Sequence, residues 1–180
     1  EHMEFIWNKK KYLTRFQKSK IPINPTIFVK GSVSIPKLLA QISSYKWNQF
    51  IVKPIGGCEG HGCGFFTTKD VVSEPTKLME YFIENAEIYD EFLVQRLTDG
   101  FKKYGEVKSF WIDGSYRYAI LTRDVPYADS IVTPMIDEKV LTKCKEIGTK
   151  VNKTIPKLLF NGKKTDPVMT RIDMVCCLDN

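Results

Sequence analysis

A glycine-rich segment between two apolar runs offers backbone groups that could hold an anion. Residues 49–68 read QFIVKPIGGCEGHGCGFFTT, with glycines at positions 56, 57, 60, 62 and 64 and His61 among them. Glycine lets a backbone turn tightly and approach a bulky anion, and consecutive N–H groups form an anion-binding concavity. Lys53 adds a positive point charge at the end of the first run. The segment predicts a strand, a loop that closes over phosphates, and a second strand; the alternative is a flexible hairpin turn.

The order of these parts excludes one phosphate-binding motif. A Walker A loop places its lysine after the glycines and before a helix. Here Lys53 precedes the glycines, and the apolar run 65–68 that follows them reads as a strand. We therefore expect a hairpin that covers phosphates and not a loop that opens a helix.

A second hairpin is predicted around Asp113-Gly114, a favoured two-residue turn. This turn places Ile112 opposite Ser115, and side chains along each strand alternate between the two faces of the hairpin. The residues predicted on one mostly apolar core face are Val107, Ser109, Trp111, Tyr116, Tyr118, Ile120 and Thr122. The alternation assigns Glu106, Lys108, Phe110, Ile112, Arg117, Ala119, Leu121 and Arg123 to the other. Glu106, Lys108 and Arg123 then share the end farthest from the turn, as the floor of a polar cleft or as a solvated sheet face.

A lone acid, Asp173, stands in the apolar run 168–178. Burying an unpaired carboxylate is costly, so Asp173 should meet Arg171 on the same strand face, solvent or a metal ion. The five cysteines lie at positions 58, 63, 144, 176 and 177, and their odd number indicates a reducing compartment. A zinc site at Cys58, His61 and Cys63 would need further ligands that the spacing does not supply.

Alternating helices and strands must position these groups. Asn8 is a candidate N-cap for a helix over about 9–18 with Tyr12, Leu13 and Phe16 inward, and further helices are expected from Ser34, from Pro75 and over 137–153. Strands are expected at 26–29, 91–95, 106–112, 115–123 and 168–178, and irregular structure at 98–104, 126–134 and 161–167.

The composition is that of a water-soluble globule with one domain or two small lobes. There are 180 residues, and no apolar run approaches a membrane span. The formal charge of +6 suits an anionic ligand, although a lysine-rich composition would give the same value. Glu1-His2-Met3 is typical of a cloning remnant, so the fold is expected to begin at Glu4.

In order and spacing, the chain resembles an ATP-grasp domain over about residues 8–178. Within that family, its motifs look most like those of the branch that contains bacterial glutathione synthetase and the ribosomal-protein glutamate ligases. The motifs that carry this resemblance are Asn8-Lys9 with Ile21-Pro22-Ile23-Asn24-Pro25-Thr26, residues 50–54 with the glycine loop, residues 92–97, Gly105-Glu106-Val107-Lys108 with Asp113-Gly114 and Arg123, and Arg171-Ile172-Asp173.

The resemblance implies an α+β fold of two lobes, residues 4–95 and 96–180, with antiparallel sheets and a nucleotide cleft between them. It implies that Lys9 (or Lys10 or Lys11 in a shifted register), Lys53 and the loop residues Gly56, Gly57, Gly60, His61 and Gly62 contact ATP phosphates. It further implies adenine contacts at the hinge residues Gln95, Arg96 and Leu97, a ribose contact at Glu106, cationic catalytic groups at Lys108 and Arg123, and a Mg²⁺ ligand at Asp173.

The resemblance also implies a reaction. An ATP-grasp ligase makes an acyl-phosphate from a small-molecule or peptide carboxylate, which an amine or thiol then attacks, with cations on the transferring phosphoryl group. The family's E-x-N strand and its preceding domain have no counterpart here. We therefore expect a core truncated at both ends, and the chain as it stands would be inactive; a degenerate, non-catalytic member is the alternative.

Two further functions compete with the ligase. An inositol-phosphate kinase of the same fold would use the same phosphate loop, and the lysines and His61 would suit its polyanionic substrate. A basic nucleic-acid module would instead need aromatics interleaved with exposed cations, whereas the aromatics here fall at periodic, buried positions. The sequence thus predicts a cytoplasmic ATP- and Mg²⁺-dependent enzyme without membrane or nucleic-acid partners, and it leaves the oligomeric state open.

Overall fold

A computed structural model describes residues 2–57, 60–123 and 131–175. The chain divides into two compact units. The loop unit comprises residues 6–13 and 23–97, and the hairpin unit comprises the described parts of 1–5, 14–22 and 98–180. This division falls between residues 97 and 98 and groups two N-terminal segments with the C-terminal half, and the lobe boundary after residue 95 stays a prediction.

The described residues form seven helices and ten strands. The helices are α1 (His2–Trp7), α2 (Lys9–Lys18), α3 (Ile35–Ser44), α4 (Thr68–Ser73), α5 (Thr76–Ala86), α6 (Asp99–Tyr104) and α7 (Glu138–Thr154). The strands are β1 (Thr26–Lys30), β2 (Gln49–Pro54), β3 (Gly64–Thr67), β4 (Glu91–Arg96), β5 (Glu106–Ile112), β6 (Ser115–Arg123), β7 (Ile131–Pro134), β8 (Leu158–Phe160), β9 (Lys163–Thr165) and β10 (Met169–Val175).

The loop unit is built on an antiparallel sheet with strand order β1-β4-β2-β3. One face of this sheet is apolar because alternate residues of its central strands are hydrophobic. Phe50, Val52, Phe92 and Val94 are fully buried there, and they form one core cluster with residues of α3 and α5. The β2–β3 connection is the glycine loop, so the predicted strand–loop–strand order is confirmed.

The hairpin unit is built on a second antiparallel sheet, with order β10-β5-β6-β7. The predicted turn is present, with positive φ angles at Asp113 (47°) and Gly114 (70°). Trp111 pairs with Tyr116 as expected, but Phe110 pairs with Tyr118, so a β-bulge at this point leaves Arg117 as an extra residue.

The bulge corrects the predicted faces of β6. Past it, Glu106 pairs with Thr122, and Lys108 pairs with Ile120. Tyr118, Ile120 and Thr122 therefore lie with the charged residues of β5, whereas Ala119 and Leu121 lie on the core face with Ser109 and Trp111. The predicted faces of β5 are correct, but those of β6 beyond Arg117 are wrong, because one inserted residue reverses the alternation.

Helix α7 belongs to the core of the hairpin unit. The side chain of Asp137 caps it by accepting from the backbone N–H groups of Lys139 and Val140, at 2.9 and 3.1 Å. Its buried residues include Cys144 and Gly148. A Cβ atom at Gly148 would lie 2.1 Å from the Trp111 ring, so glycine is needed for this close approach.

Other segments differ from the sequence-based expectation. Residues 99–104 and 68–73 are helical, 131–134 form an edge strand, and Asn161-Gly162 turns a small β8–β9 hairpin. His2 and Met3 lie within α1, and His2 Nδ1 lies 2.9 Å from the backbone oxygen of Pro156. The expectation of irregular structure is thus wrong at 99–104, 131–134 and 163–165, where the segments are too short to show a clear periodicity.

Candidate functional site

The glycine loop is held on its own unit by tight packing at two of its glycines. A Cβ at Gly62 would lie 2.8 Å from Pro54 and 3.0 Å from Tyr89, and one at Gly64 would lie 2.7 Å from Phe66. Gly62 also has a φ of +67°, which L side chains rarely adopt. These positions cannot take a larger residue without displacing the loop.

Two other loop glycines are open. A Cβ at Gly56 or Gly60 would meet nothing within 4 Å. His61 is exposed beside them, and Cys58 lies outside the described residues. Within its described residues, the loop therefore has glycines packed against the unit, Gly62 and Gly64, and glycines with space around them, Gly56 and Gly60.

Tyr81 anchors the packed part of the loop. Its hydroxyl donates to the backbone oxygen of Gly62 and lies 3.4 Å from that of Val52. Burial raises the pKa of Tyr81, so this hydroxyl remains a donor at neutral pH. Sequence reasoning missed Tyr81, although Tyr81, Asn85 and Tyr89 recur every four residues, which is the spacing of a single helix face.

The predicted phosphate-binding lysines differ in their partners. Lys9 Nζ donates to the backbone oxygens of Ile55, at 3.3 Å, and Gly57, so it lies at the start of the glycine loop. Lys10, the alternative in a shifted register, pairs with Glu91 at 2.5 Å. Lys53 is partly buried at the end of β2, where it pairs with Leu93 of β4, and its side chain has no hydrogen bond or ion pair to another described residue.

The hinge residues are already engaged within the loop unit. The Arg96 N–H donates to Pro25 O at 3.2 Å, and the Leu97 N–H donates to Gln49 O at 2.9 Å. The Arg96 carbonyl accepts from the Asn24 side chain at 2.6 Å. Of the backbone groups predicted to meet adenine, both of Arg96 and the N–H of Leu97 therefore have protein partners.

The same bonds leave a buried acceptor near the hinge. Asn24 Oδ1 is buried and has no hydrogen-bond donor among the described residues. Gln95, the third predicted hinge residue, donates from its side chain to Thr26 Oγ1 at 2.9 Å. A buried acceptor without a donor is costly, so a ligand amino group at this position would relieve the penalty.

In the hairpin unit, three predicted site residues share one face of the second sheet. Lys108 Nζ lies 3.2 Å from a Glu106 carboxylate oxygen. Asp173 on β10 pairs in register with Lys108 on β5, and directly paired residues point to the same side. We call this side, with Glu106, Lys108, Phe110, Arg171 and Asp173, the charged face.

Arg123 does not join the charged face. The β-bulge places Arg123 on the opposite side of β6, where its Nε donates to Tyr104 O at 3.3 Å. The prediction that register brings Glu106, Lys108 and Arg123 onto one face is therefore wrong for Arg123. Its catalytic role remains a prediction without that support.

Asp173 is held by its strand neighbour. Both carboxylate oxygens accept from Arg171, at 2.9 Å each, and this pair is largely exposed. The sequence analysis gave Arg171, solvent and a metal ion as alternative partners of Asp173, and the structure shows Arg171 in contact with it.

Comparison with known proteins was informative only at the level of structure. No protein-family profile and no curated protein matches the sequence. Among solved structures, D-cycloserine synthetase DcsG superposes with a TM-score of 0.75 at 16% identity, over 98% of this chain and 60% of that one. D-alanine–D-alanine ligase from Bacillus anthracis, complexed with ATP, gives 0.68 at 16% identity, over 94% of this chain and 50% of that one.

The chain has the ATP-grasp fold. A third similar structure, the ATP-grasp ligase PsnB with a phosphomimetic precursor variant, Mg and ADP, gives a TM-score of 0.61 at 15% identity, over 98% of this chain and 48% of that one. The chain spans about half to three fifths of the length of these ligases. The predicted ATP-grasp fold is confirmed, whereas the glutathione synthetase branch stays a prediction.

The described part of this ATP-grasp chain fits a phosphate-bridged metal ion better than a protein-caged one. It contains no group of three or more histidine, cysteine, aspartate or glutamate residues that could hold a metal. Asp173 offers one hard carboxylate, and Mg²⁺ is commonly held by one or two carboxylates together with phosphates. No helix among the described residues of this ATP-grasp chain is long and apolar enough to cross a membrane.

Proposed function

We propose that this chain is the nucleotide-binding core of an ATP- and Mg²⁺-dependent carboxylate–amine ligase. The observation that carries the proposal is the charged face, where Asp173 stands in register with Lys108 and Lys108 pairs with Glu106. A cation and two carboxylates lie next to each other on one sheet, and phosphoryl transfer uses cations and carboxylate-held metal ions of this kind. The ligases that share the fold support the reaction class.

The loop unit would bind phosphates. Among the described residues the Lys53 side chain has no hydrogen-bond or ion-pair partner, Lys9 lies at the start of the loop, and nothing lies within 4 Å of a Cβ placed at Gly56 or Gly60. Backbone N–H groups of such a loop are suited to phosphate oxygens. Asn24 Oδ1, on the side chain that donates to the Arg96 carbonyl, would receive the adenine amino group, with Gln95 and Leu97 as the neighbouring hinge residues.

The hairpin unit would handle the reacting groups. Glu106 would accept from the ribose hydroxyls, and Lys108 would neutralise charge on the transferred phosphoryl group. Asp173 would hold Mg²⁺ after its carboxylate is shared with or released from Arg171. ATP, when bound, supplies the phosphoryl group that converts a substrate carboxylate into an acyl-phosphate for attack by an amine.

Thermal shift with ATP tests the nucleotide site. Binding at 100 times Kd should add about 2.7 kcal/mol of stability, and omission of Mg²⁺ should remove most of the shift. Lys53→Ala and Lys108→Ala should reduce the shift, whereas Lys143→Ala should not, because Lys143 lies outside the proposed site, in an exposed pair with Glu146 at 3.0 Å on α7. A wild-type chain that gains no stability from Mg-ATP would rule out the proposal.

Product analysis tests the reaction class. The protein in its full length is incubated with Mg-ATP and panels of amino acids, peptides and inositol phosphates, and ADP release and new amide bonds are measured. A ligase releases ADP and phosphate together with an amide product. ADP release with a phosphorylated inositol would instead establish the kinase, and phosphate release without either product would contradict both.

The location and partners belong to the same proposal. Cys63 and Cys144 are free thiols, which suits a reducing compartment such as the cytoplasm. The partners would be a small-molecule or peptide carboxylate and an amine acceptor.

A further inference from the structure

The charged face continues from Lys108 toward the turn of the hairpin as an aromatic surface. Phe110 and Tyr118 are paired across β5 and β6, and their rings stack with centroids 4.7 Å apart and planes 17° apart. Tyr118 is 54% exposed, so part of this stacked pair is open to solvent. Large exposed apolar groups beside polar ones are typical of binding surfaces.

The register places this pair one step along the strand from the reacting groups. Phe110 follows Lys108 by two residues, a distance of about 7 Å along a strand, and both lie on the charged face. Arg171 pairs in register with Phe110, as Asp173 does with Lys108. The aromatic rings and Arg171 thus form one rung of the face, and Lys108 and Asp173 form the next.

Arg171 adds charge complementarity to the aromatic surface. Its Nε and Nη2 each donate to Asp173, which uses two of its five N–H groups. The guanidinium therefore retains donors suited to a second carboxylate. An aromatic ring surface with a guanidinium beside it matches a planar group that carries a carboxylate.

We propose that Phe110 and Tyr118 are specificity-determining residues that bind the ring of an aromatic carboxylate substrate, with its carboxylate near Arg171 and Lys108. This inference rests on the proposed function, since Glu106 on the far side of Lys108 is assigned to the nucleotide. The nucleotide would occupy one end of the charged face, and the carboxylate substrate would occupy the Phe110–Tyr118 end.

Direct binding of a simple probe tests the subsite. The Kd of N-acetyl-L-phenylalanine is measured by ligand-observed NMR titration, with N-acetylglycine as the probe that lacks the ring. Wild-type protein should bind the aromatic probe at least ten-fold more tightly. Tyr118→Phe should keep this preference, whereas Tyr118→Thr, which removes the ring but keeps a residue favourable in strands, should reduce it to less than two-fold.

Phe160→Ala is the matched control, because Phe160 is an exposed aromatic residue (68%) on β8 of the same unit. It should leave the preference unchanged. If the wild type binds both probes equally, or Tyr118→Thr destabilises the protein while probe binding is unchanged, the pair only supports the hairpin and the inference is overturned.

The Mg-ATP thermal shift, measured on the same samples, separates this inference from the proposed function. Retained aromatic-probe binding without an ATP shift overturns the ligase and leaves the aromatic subsite. A normal ATP shift without aromatic preference overturns the subsite alone.

Discussion

The two units use glycine and charge in different ways. In the loop unit, packing against Pro54, Tyr81 and Tyr89 shapes the glycine loop, and Lys9 contacts backbone oxygens of the same loop. In the hairpin unit, the close glycine contact lies in the core, between Gly148 and Trp111, and the charges of the second sheet pair with each other on an open face. The glycine loop is thus shaped by packing, whereas the charged face is held by ion pairs between its own side chains.

The largest effect is expected from Gly148→Ala in the hairpin unit. The new Cβ would lie 2.1 Å from a Trp111 ring atom, and the ring is itself buried. We expect a loss of about 3 kcal/mol in the free energy of unfolding, at the upper end of the overpacking range. Urea denaturation measures it. Thr149→Ala, on the exposed side of α7, is the control and should be neutral or slightly stabilising, and equal stability of the two variants would contradict the tight contact.

A glycine pair in the loop unit tests whether packing shapes the loop. Both Gly60 and Gly62 have a positive φ, but only Gly62 is in close contact with neighbours. Both alanine variants should lower the free energy of unfolding because alanine disfavours a positive φ. Gly62→Ala should lower it by about 1–2 kcal/mol more, through steric strain. Comparison of the two unfolding free energies removes the shared backbone effect. A loss at Gly60 as large as that at Gly62 would indicate that conformation alone, without packing, determines the loop.

Two adjacent lysines of the loop unit test the role of charge. Lys9→Met removes donors to two backbone oxygens, and hydrogen bonds from charged groups contribute about 1.5–3 kcal/mol. Lys10→Met removes only a half-exposed ion pair with Glu91, worth about 0–1 kcal/mol. Thermal and urea unfolding should therefore show a larger loss for Lys9→Met. Greater sensitivity at Lys10 would reverse the interpretation that Lys9 supports the loop.

The smallest effect is a pH dependence in the hairpin core. Burial raises the pKa of the Cys144 thiol, so the folded state keeps its proton when the unfolded thiol ionises near pH 8.5. The unfolded state then binds fewer protons, and stability falls as the pH rises above that value, by less than about 1.4 kcal/mol per pH unit. Cys144→Ala should make the free energy of unfolding less dependent on pH between pH 8 and 10. Burial also raises the pKa of Tyr81, so Tyr81→Phe should change the pH dependence of stability in the loop unit only above about pH 10. An unchanged pH dependence in Cys144→Ala would show that other groups dominate.

The sequence by itself determined most elements and the order in which they occur. Helix α2 with its Asn8 cap, both strands around Asp113-Gly114 and the strand–loop–strand of the glycine segment follow from local periodicity, caps and turn residues. The residues that give each of these signals lie close together in the sequence, so the sequence alone is sufficient to predict these elements. They were also sufficient to suggest the ATP-grasp fold.

Only the tertiary structure decided which side chains meet. One extra residue, Arg117, moved Arg123 off the charged face and brought Tyr118 onto it, and no local pattern signals a bulge of this kind. The pairing of Asp173 with Lys108 and the anchoring of Gly62 by Tyr81 join residues far apart in the chain. Such contacts depend on strand register and helix packing, which cooperative folding fixes and local propensity does not.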